Sequence, residues 1–252
     1  SIPASENYRD KFIAEDGNLI ITADFSQIEL KVAAVLSGEP AMLDEYRKKN
    51  ADLHTLTASK LYDIPPEKVT YEQRAKAKSV NFGTLYGVTE YGLYNKFDIP
   101  KEEGRELINK FFKAYPKVAE FMQRNGEMGV SEGYTVTPTG RRRYYKVPPI
   151  SDPNFGYKLS SIKRKAGNFP VQGGAADIMK QAIVNVYNAI KSYNADLILT
   201  VHDELSVETD KECFPEVLSI VIDEMQKAGE QIVGNELEWT VDVVHGKHWG
   251  KA

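Results

Sequence analysis

Two apolar, β-branched segments lie near opposite ends of this 252-residue chain, and each leads directly into carboxylates. The first segment ends at Asp24, and the second carries Asp203 and Glu204 at its tip. Their composition indicates a buried strand and a hairpin, and the hairpin has no Gly at its turn. A buried strand-end carboxylate is costly without a compensating cation. We therefore predict that both ends of the chain share one sheet, with a helical insertion between them, and hold two divalent cations.

A helix is expected over about residues 71–86, and one of its faces is unusual. Arg74, Lys78, Phe82 and Tyr86 recur every four residues, so each lies about 40° around the helix from the last. Two cations followed by two aromatic rings suit a nucleotide, and Gly87 predicts the end of the helix. The alternative is an amphipathic surface helix whose aromatic rings pack inward.

Three motifs now identify a resemblance. The segment DFSQIE (24–29), the helix from Arg74 to Gly87 and the segment VHDEL (201–205) occur in the order and spacing of motifs A, B and C. These are motifs of family A (DNA polymerase I-like) DNA polymerases, which the chain resembles from about Ile2 to Trp249. Connecting segments at 52–55, 139–143 and 170–173 are similar to that family as well.

The resemblance implies an α+β fold, in which a polymerase palm of antiparallel sheet and helices is interrupted by a mostly helical fingers subdomain. The expected domains are palm over 1–35, fingers over 36–164 and palm again over 165–252, with the motif B helix at about 71–87. A thumb and an exonuclease domain are expected to be absent from this chain. The local pattern also predicts a helix from about Ala175 to Tyr193.

The activity implied by the resemblance is template-directed DNA synthesis, by a polymerase-domain fragment or one half of a split enzyme. Deoxynucleotidyl groups would pass from dNTPs to a primer 3′-OH with two Mg²⁺ ions, for which Mn²⁺ could substitute. The implied metal ligands are Asp24, the backbone carbonyl of Phe25 and Asp203. Glu204 is assigned to the catalytic group as a weaker or water-mediated ligand, and a solvated turn residue is its alternative.

The resemblance also implies roles along the helix. Arg74 and Lys78 would hold the β- and γ-phosphates, and Lys78 would protonate the leaving pyrophosphate as a general acid. Phe82 would press on the deoxyribose and Tyr86 would lie near the template base. For both aromatic residues the alternative is packing in the core.

Three further residues are assigned to the nucleotide. The resemblance makes Glu29 the group that excludes a ribose 2′-OH and places Gln27 and His54 near the incoming dNTP. Ser26 and Glu29 also match a capping box, with Ser at the N-cap and Glu three residues later, so a purely structural role for Glu29 stays open.

The net charge of −4 does not by itself indicate a nucleic-acid-binding protein. Residues 141–165, however, contain eight cations and one carboxylate, a local charge of +7, interleaved with tyrosines. Such a segment suits a phosphate backbone, and a solvated loop is the alternative. The residues assigned to nucleic acid, three of them from the resemblance alone, are Arg141, Arg142, Arg143, Arg164, Gln172 and His202.

Other classes of function remain in competition. The chain could be a catalytically incomplete nucleic-acid-binding module that needs a thumb-bearing partner chain. Related single-subunit RNA polymerases are disfavoured by Glu29 and Phe82. Expected partners are a DNA primer–template, dNTPs and a separate chain supplying a thumb or exonuclease. No run approaches the ~20 apolar residues of a membrane span, so no association with a membrane is expected. The expected location is the cytoplasm of a bacterial or phage-infected cell, and an organelle is left open.

Overall fold

The computed structural model describes residues 6–250, which form α-helices and antiparallel sheets, so the expected α+β class is confirmed. The helices in that part are α1 (Glu6–Arg9), α2 (Ile28–Ser37), α3 (Pro40–Tyr46), α4 (Leu53–Tyr62), α5 (Tyr71–Leu85), α6 (Glu90–Phe97), α7 (Lys101–Ala114), α8 (Pro116–Ser131), α9 (Phe155–Ala189) and α10 (Phe214–Ile232). The strands are β1 (Asn18–Phe25), β2 (Tyr134–Val136), β3 (Arg142–Tyr144), β4 (Ala195–Val201), β5 (Glu204–Asp210) and β6 (Val241–Gly246).

Two compact units divide these elements. The sheet unit combines the residues up to Ile28 with those from Ala175 onward, and the helical unit comprises Glu29–Gly174. The domain boundaries predicted at 35 and 164 lie some residues away from these division points and stay a prediction about palm and fingers. None of the helices described within residues 6–250 is both long and apolar enough to cross a lipid bilayer.

The sheet has the strand order β4-β5-β1-β6, and all its neighbouring strands are antiparallel. The first strand is therefore central, although its partners follow it by well over 150 residues in the chain. Near the end of β1, Asp24 lies opposite Glu204 on β5 and opposite Asp242 on β6. The predicted pairing of the two chain ends is present.

The core of the sheet unit forms between β1 and α10, which packs on β1, β5 and β6. Val217, Val221 and Met225 lie four residues apart on one face of α10 and are fully buried. Each such side chain contributes about 1.5–3 kcal/mol on burial. Gly229 continues this face, because a Cβ there would lie 2.3 Å from the ring of the buried Trp239.

The basic segment departs from the sequence-based expectation. Helix α9 begins at Phe155, not near Ala175, and continues past Pro170 in its interior. Proline removes a helical hydrogen bond and is disfavoured there. The helix persists because Phe169 and Val171, on either side of the proline, are buried in packed surroundings, and tertiary packing commonly overrides local propensity. The solvated-loop alternative is therefore wrong for the second half of the basic segment.

Helices α8 and α9 approach closely within the helical unit, and at two of their glycines the facing atom belongs to the backbone. A Cβ on Gly167 would lie 2.7 Å from the carbonyl oxygen of Met122, and one on Gly126 would lie 3.0 Å from that of Lys163. Backbone atoms cannot move aside as a flexible side chain can. The helix–helix distance thus depends on these two positions having no side chain.

Replacing Gly167 by Ala should therefore lower the free energy of unfolding by about 1–3 kcal/mol, the usual cost of overpacking. Gly156→Ala on the same helix is the matched control, because a Cβ there meets nothing within 4 Å; it should be neutral or slightly stabilising. Urea unfolding followed by circular dichroism measures both variants. Equal stability of the two would contradict the close packing of α8 and α9.

Candidate active site

The sheet unit brings the predicted metal ligands to one end of the sheet. Asp24 is the penultimate residue of β1, and Asp203 belongs to the two-residue turn between β4 and β5. The backbone N–H of Phe25 donates a hydrogen bond of 3.2 Å to the carbonyl oxygen of Asp203. This contact ties the end of β1 to the turn, so the two aspartates are held together by backbone structure.

Two residues beside these aspartates have backbone conformations that only glycine adopts without strain. His202, in the β4–β5 turn, has a φ of 57°, and Gln27, just after β1, has a φ of 55°. A two-residue hairpin turn usually meets this requirement with Gly, Asn or Asp. Such residues persist only where the surrounding structure holds them, and they cluster at functional sites. The strain supports the interpretation that turn propensity did not select His202.

The carboxyl of Asp24 lies in an unusually negative, partly dry environment. Burial, followed by the charges of Asp203, Glu204 and Asp242, raises its pKa to about 7, and Arg9 opposes the shift. Burial also raises the pKa of Asp203. Oδ1 of Asp24 is buried without a hydrogen-bond partner among the described residues. Neither aspartate forms an ion pair with a described residue, so the charge of Arg9 compensates the pair only in part.

An aspartate pair of this kind suits hard divalent cations such as Mg²⁺, which prefer carboxylate and carbonyl oxygens. The residues present fit that donor chemistry, since Asp24 keeps a buried oxygen free of hydrogen bonds. Over residues 6–250 no group of three or more His, Cys, Asp and Glu side chains is arranged to hold a metal ion. The protein itself therefore offers two carboxylates, and the contribution of the Phe25 carbonyl stays a prediction.

Glu204 has a different environment from the two aspartates. It is only 4% exposed, and its carboxylate accepts hydrogen bonds from Nη1 of Arg9 at 2.9 and 3.2 Å and from Nε1 of Trp249 at 2.8 Å. The Arg9 guanidinium lies 4.0 Å above the Trp249 ring and also donates to the Gly250 carbonyl. The solvated-turn alternative is therefore wrong. A role of Glu204 as a weaker metal ligand stays a prediction, with both of its oxygens already engaged.

The capping-box alternative for Glu29 is also wrong. Gln27 has a left-handed backbone and cannot be the first helical residue after a cap, so α2 begins at Ile28 and Ser26 lies outside the N-cap position. The Ser26 hydroxyl instead donates to Oδ2 of Asp242 at 2.6 Å. The assignments of Glu29 to the 2′-OH and of Gln27 to the nucleotide stay predictions.

Helix α5 in the helical unit has the ends that its sequence predicts. Thr70 and Gln73 form a capping box at its start. At its end Gly87 has a φ of 66°, its N–H donates to the carbonyl of Thr84, and the N–H of Val88 donates to that of Gly83. This is the Schellman pattern, which needs a left-handed residue and therefore favours glycine.

The two cations of α5 that are assigned to the nucleotide differ in their surroundings. Arg74 forms a two-pronged pair with Asp52, with Nε–Oδ2 at 2.9 Å and Nη2–Oδ1 at 3.1 Å. Burial opposes it, but hydrogen bonds from Arg74 and Thr55 lower the pKa of Asp52 to about 2. Lys78 is exposed and has no ion-pair partner among the residues described. Asp52, which also caps α4, was missed as a site residue although an N-cap Asp is recognisable in sequence.

The two aromatic residues assigned to the nucleotide are not fully buried, as packing in the core would require. Tyr86 is 46% exposed at the C-terminal cap, and Phe82 is half-buried. The Phe82 ring lies 5.7 Å from the buried imidazole of His54. Burial, with the charges of Arg74 and Lys78, lowers the pKa of His54 to about 4, so this imidazole is neutral at pH 7.

The four arginines assigned to nucleic acid fall into two groups. Arg142 and Arg143 are exposed on β3, with their guanidinium groups over aromatic rings. Arg141 and Arg164 are engaged within the helical unit, since Arg141 donates to the Gly173 carbonyl at 3.1 Å and Arg164 packs at Gly87. Gln172 is half-buried on α9, and His202 lies in the strained turn described above. Their contacts with nucleic acid stay predictions.

Comparisons with known proteins agree with the motifs. The model of the family "DNA polymerase family A" matches residues 2–251. DNA polymerase I of Caldicellulosiruptor bescii is 38% identical over 96% of this chain, and the thermostable DNA polymerase I of Thermus thermophilus is 37% identical over 98%. The chain spans only 28% and 29% of the lengths of these relatives.

A solved structure is similar as well. It is the POL domain of Pol1 from M. smegmatis in complex with DNA primer-template and dNTP, which superposes with a TM-score of 0.86 at 32% identity. The match covers 99% of this chain and 44% of the other. Nothing in these comparisons supports a separate chain carrying a thumb or exonuclease, which stays a prediction.

Asp24→Asn should stabilise the metal-free protein at neutral pH. The folded-state pKa of about 7 lies above the unfolded value near 3.8, so this group favours folding fully only below about pH 4, and that contribution is lost as the pH rises toward 7. The variant, which has no such charge, should gain stability over wild type as the pH rises to 8, by less than the ~4 kcal/mol of the full pKa difference, because solvent screens this half-buried carboxyl. Urea unfolding in EDTA between pH 5 and 8 measures the difference. A difference that does not grow with pH would contradict the raised pKa.

Proposed function

Because the chain belongs to DNA polymerase family A, we propose that it transfers deoxynucleotidyl groups from dNTPs to the 3′-OH of a primer on a DNA template. The observation that carries the proposal is the meeting of Asp24 and Asp203 at one end of the sheet, where burial and neighbouring carboxylates raise the pKa of Asp24 and neither aspartate has an ion-pair partner among the described residues. The curated relatives are named DNA polymerases, and the similar solved structure contains primer–template and dNTP. The chain corresponds to part of those proteins, 28% and 29% of the two relatives and 44% of the solved POL-domain chain.

Asp24 and Asp203, with the carbonyl of Phe25, are the groups we assign to divalent metal binding. When bound, two Mg²⁺ ions would supply a lowered pKa for the primer 3′-OH and stabilisation of charge on the triphosphate. The aspartates must be ionised to serve as ligands. Because the pKa of Asp24 is raised, its ionisation at neutral pH depends on the bound cation itself. The pairing of Glu204 with Arg9 keeps a third carboxylate neutralised beside them.

The helical unit supplies the groups that we assign to the nucleotide. Lys78 is exposed and is assigned to the β- and γ-phosphates, and it is the candidate to protonate the departing pyrophosphate. Arg74 is held in a fixed orientation by Asp52, so little side-chain entropy is lost when it binds a phosphate oxygen. Phe82 offers a half-buried ring to the deoxyribose, and Tyr86 an exposed ring to the template base.

Glu29 and Gln27 follow β1 directly, where the strained backbone of Gln27 fixes the start of α2. We assign Glu29 to the exclusion of a ribose 2′-OH, as the match of residues 24–29 to motif A implies. The exposed Arg142 and Arg143 are assigned to the nucleic-acid backbone, where stacking on aromatic rings leaves their donors free for phosphate.

Asp24→Asn and Asp203→Asn should each remove nearly all nucleotide incorporation and leave DNA affinity almost unchanged, because the metal site acts on transition-state charge. The control is Asp16→Asn, a fully exposed surface carboxylate paired with Lys247, which should incorporate at the wild-type rate. Primer extension with Mg²⁺ and filter binding of the primer–template measure the two properties. Retention of more than about a tenth of the wild-type rate, roughly 1.4 kcal/mol of barrier, by either aspartate variant would refute the assignment.

An active wild-type chain is required by that experiment. Binding of primer–template without any incorporation by the wild type would instead favour the binding-module alternative.

Phe82→Tyr should sharply reduce discrimination against dideoxynucleotides, because the added hydroxyl stands in for the 3′-OH that they lack. Glu29→Ala should separately admit ribonucleotides. Phe97→Tyr, at an exposed Phe of α6, is the control for adding a phenol hydroxyl. Competition between the nucleotide types gives the ratios, and ratios identical to wild type in both test variants would show that neither residue contacts the sugar.

A further inference from the structure

Asn81 lies on α5 between Lys78 and Phe82 and is completely buried. Its side-chain Nδ2 lies 2.9 Å from Nδ1 of His54 on α4. Its Oδ1 is buried as well and has no partner among the described residues. A buried amide with one unpaired oxygen costs about 1–3 kcal/mol, so this residue serves the stability of the helical unit poorly.

The contact with Asn81 determines which nitrogen of His54 carries the proton. The imidazole is neutral because burial, together with the positive charges of Arg74 and Lys78, lowers its pKa, while the negative charge of Asp52 opposes the shift. A neutral imidazole has one donor nitrogen and one acceptor nitrogen, and an amide NH₂ can only donate. Nδ1 of His54 therefore accepts, and Nε2 carries the hydrogen.

We propose that Asn81 is a positioning residue, which holds His54 in the tautomer whose Nε2–H donates to a phosphate oxygen of the incoming deoxynucleoside triphosphate. The proposal deepens the proposed function and rests on it. Nε2 has no hydrogen-bond partner among the residues described. His54 would thus add an uncharged donor beside the cations Arg74 and Lys78, which binds a phosphate without a further desolvated charge.

The same contact also sets the ring that supports Phe82. His54 is 3% exposed and lies against Phe82 with an interplanar angle of 49°. A ring rotated to find another partner for Nδ1 would shift this contact. Through the imidazole of His54, Asn81 therefore affects both the proposed contact with the phosphate and the proposed contact of Phe82 with the sugar.

Two substitutions separate the tautomer from simple loss of packing. In Asn81→Leu the side chain keeps a similar size but cannot donate, so Nδ1 loses its partner and both tautomers become populated. In Asn81→Asp the carboxylate accepts from Nδ1–H, which reverses the tautomer and raises the pKa of His54. Thr84→Val is the control, since Thr84 is buried on the same helix with a hydroxyl that has no partner among the described residues.

The first measurement is ¹⁵N–¹H NMR of the imidazoles in the 252-residue chain, which has only four histidines; His54→Ala assigns the relevant one. We expect the Nε2–H tautomer in wild type and Thr84→Val, a mixture in Asn81→Leu and the Nδ1–H tautomer in Asn81→Asp. Addition of dATP with Mg²⁺ should shift the Nε2–H signal in wild type. An Nδ1–H tautomer in wild type, or no response to dATP, would overturn the proposal even if the chain is an active polymerase.

The second measurement is single-turnover incorporation at varied dNTP concentration. Asn81→Leu should raise the concentration for half-maximal rate about tenfold, and should have less than a twofold effect in a His54→Ala background. Equal effects in both backgrounds would show that Asn81 does not act through His54. A wild-type chain without incorporation would defeat the proposed function, while the NMR titration would still decide the tautomer and its contact with the triphosphate.

Discussion

The burial of negative charge at one end of the central strand is the constraint on which the sheet unit depends. Asp24, Asp203, Glu204 and Asp242 converge there because β1 pairs with strands from the far end of the chain. The protein compensates one of them: Glu204 is neutralised by Arg9, whose guanidinium stacks on Trp249. Breaking such a buried pair typically costs 3–5 kcal/mol. Asp24 and Asp203 form no ion pair among the described residues, which leaves them available to a bound cation.

In the helical unit, the charged residues assigned to the ligand are cations, in contrast to the carboxylates of the sheet unit. Its cations Arg74 and Lys78 lie on one face of α5, and Asp52 holds Arg74 in place while Lys78 stays exposed. Between them, His54 remains neutral because burial and both cations disfavour its charged form. A triphosphate is the kind of ligand that such a face suits, with one fixed donor, one mobile charge and one uncharged donor.

Several features of both units lower stability and support the proposed chemistry. His202 and Gln27 have left-handed backbones without being glycine, and Asp24 and Asn81 each have a buried oxygen with no partner in the described part of the chain. Each of these costs of order 1–3 kcal/mol. Proteins commonly keep such costs where function needs a strained or incompletely paired group, and here all four positions lie in or directly beside the assigned residues.

The sequence by itself determined the elements that depend on local patterns. Four-residue spacing and Gly87 determined helix α5 and its end, and β-branched runs determined β1 and the β4–β5 hairpin, because these signals act within a few residues. Only the tertiary structure decided the partners of Glu204, since Arg9 lies 195 residues earlier in the chain. The tertiary structure also decided that α9 continues past Pro170, and that the Ser26 hydroxyl bonds Asp242 and does not cap a helix. At both places, long-range packing and pairing outweigh local propensity.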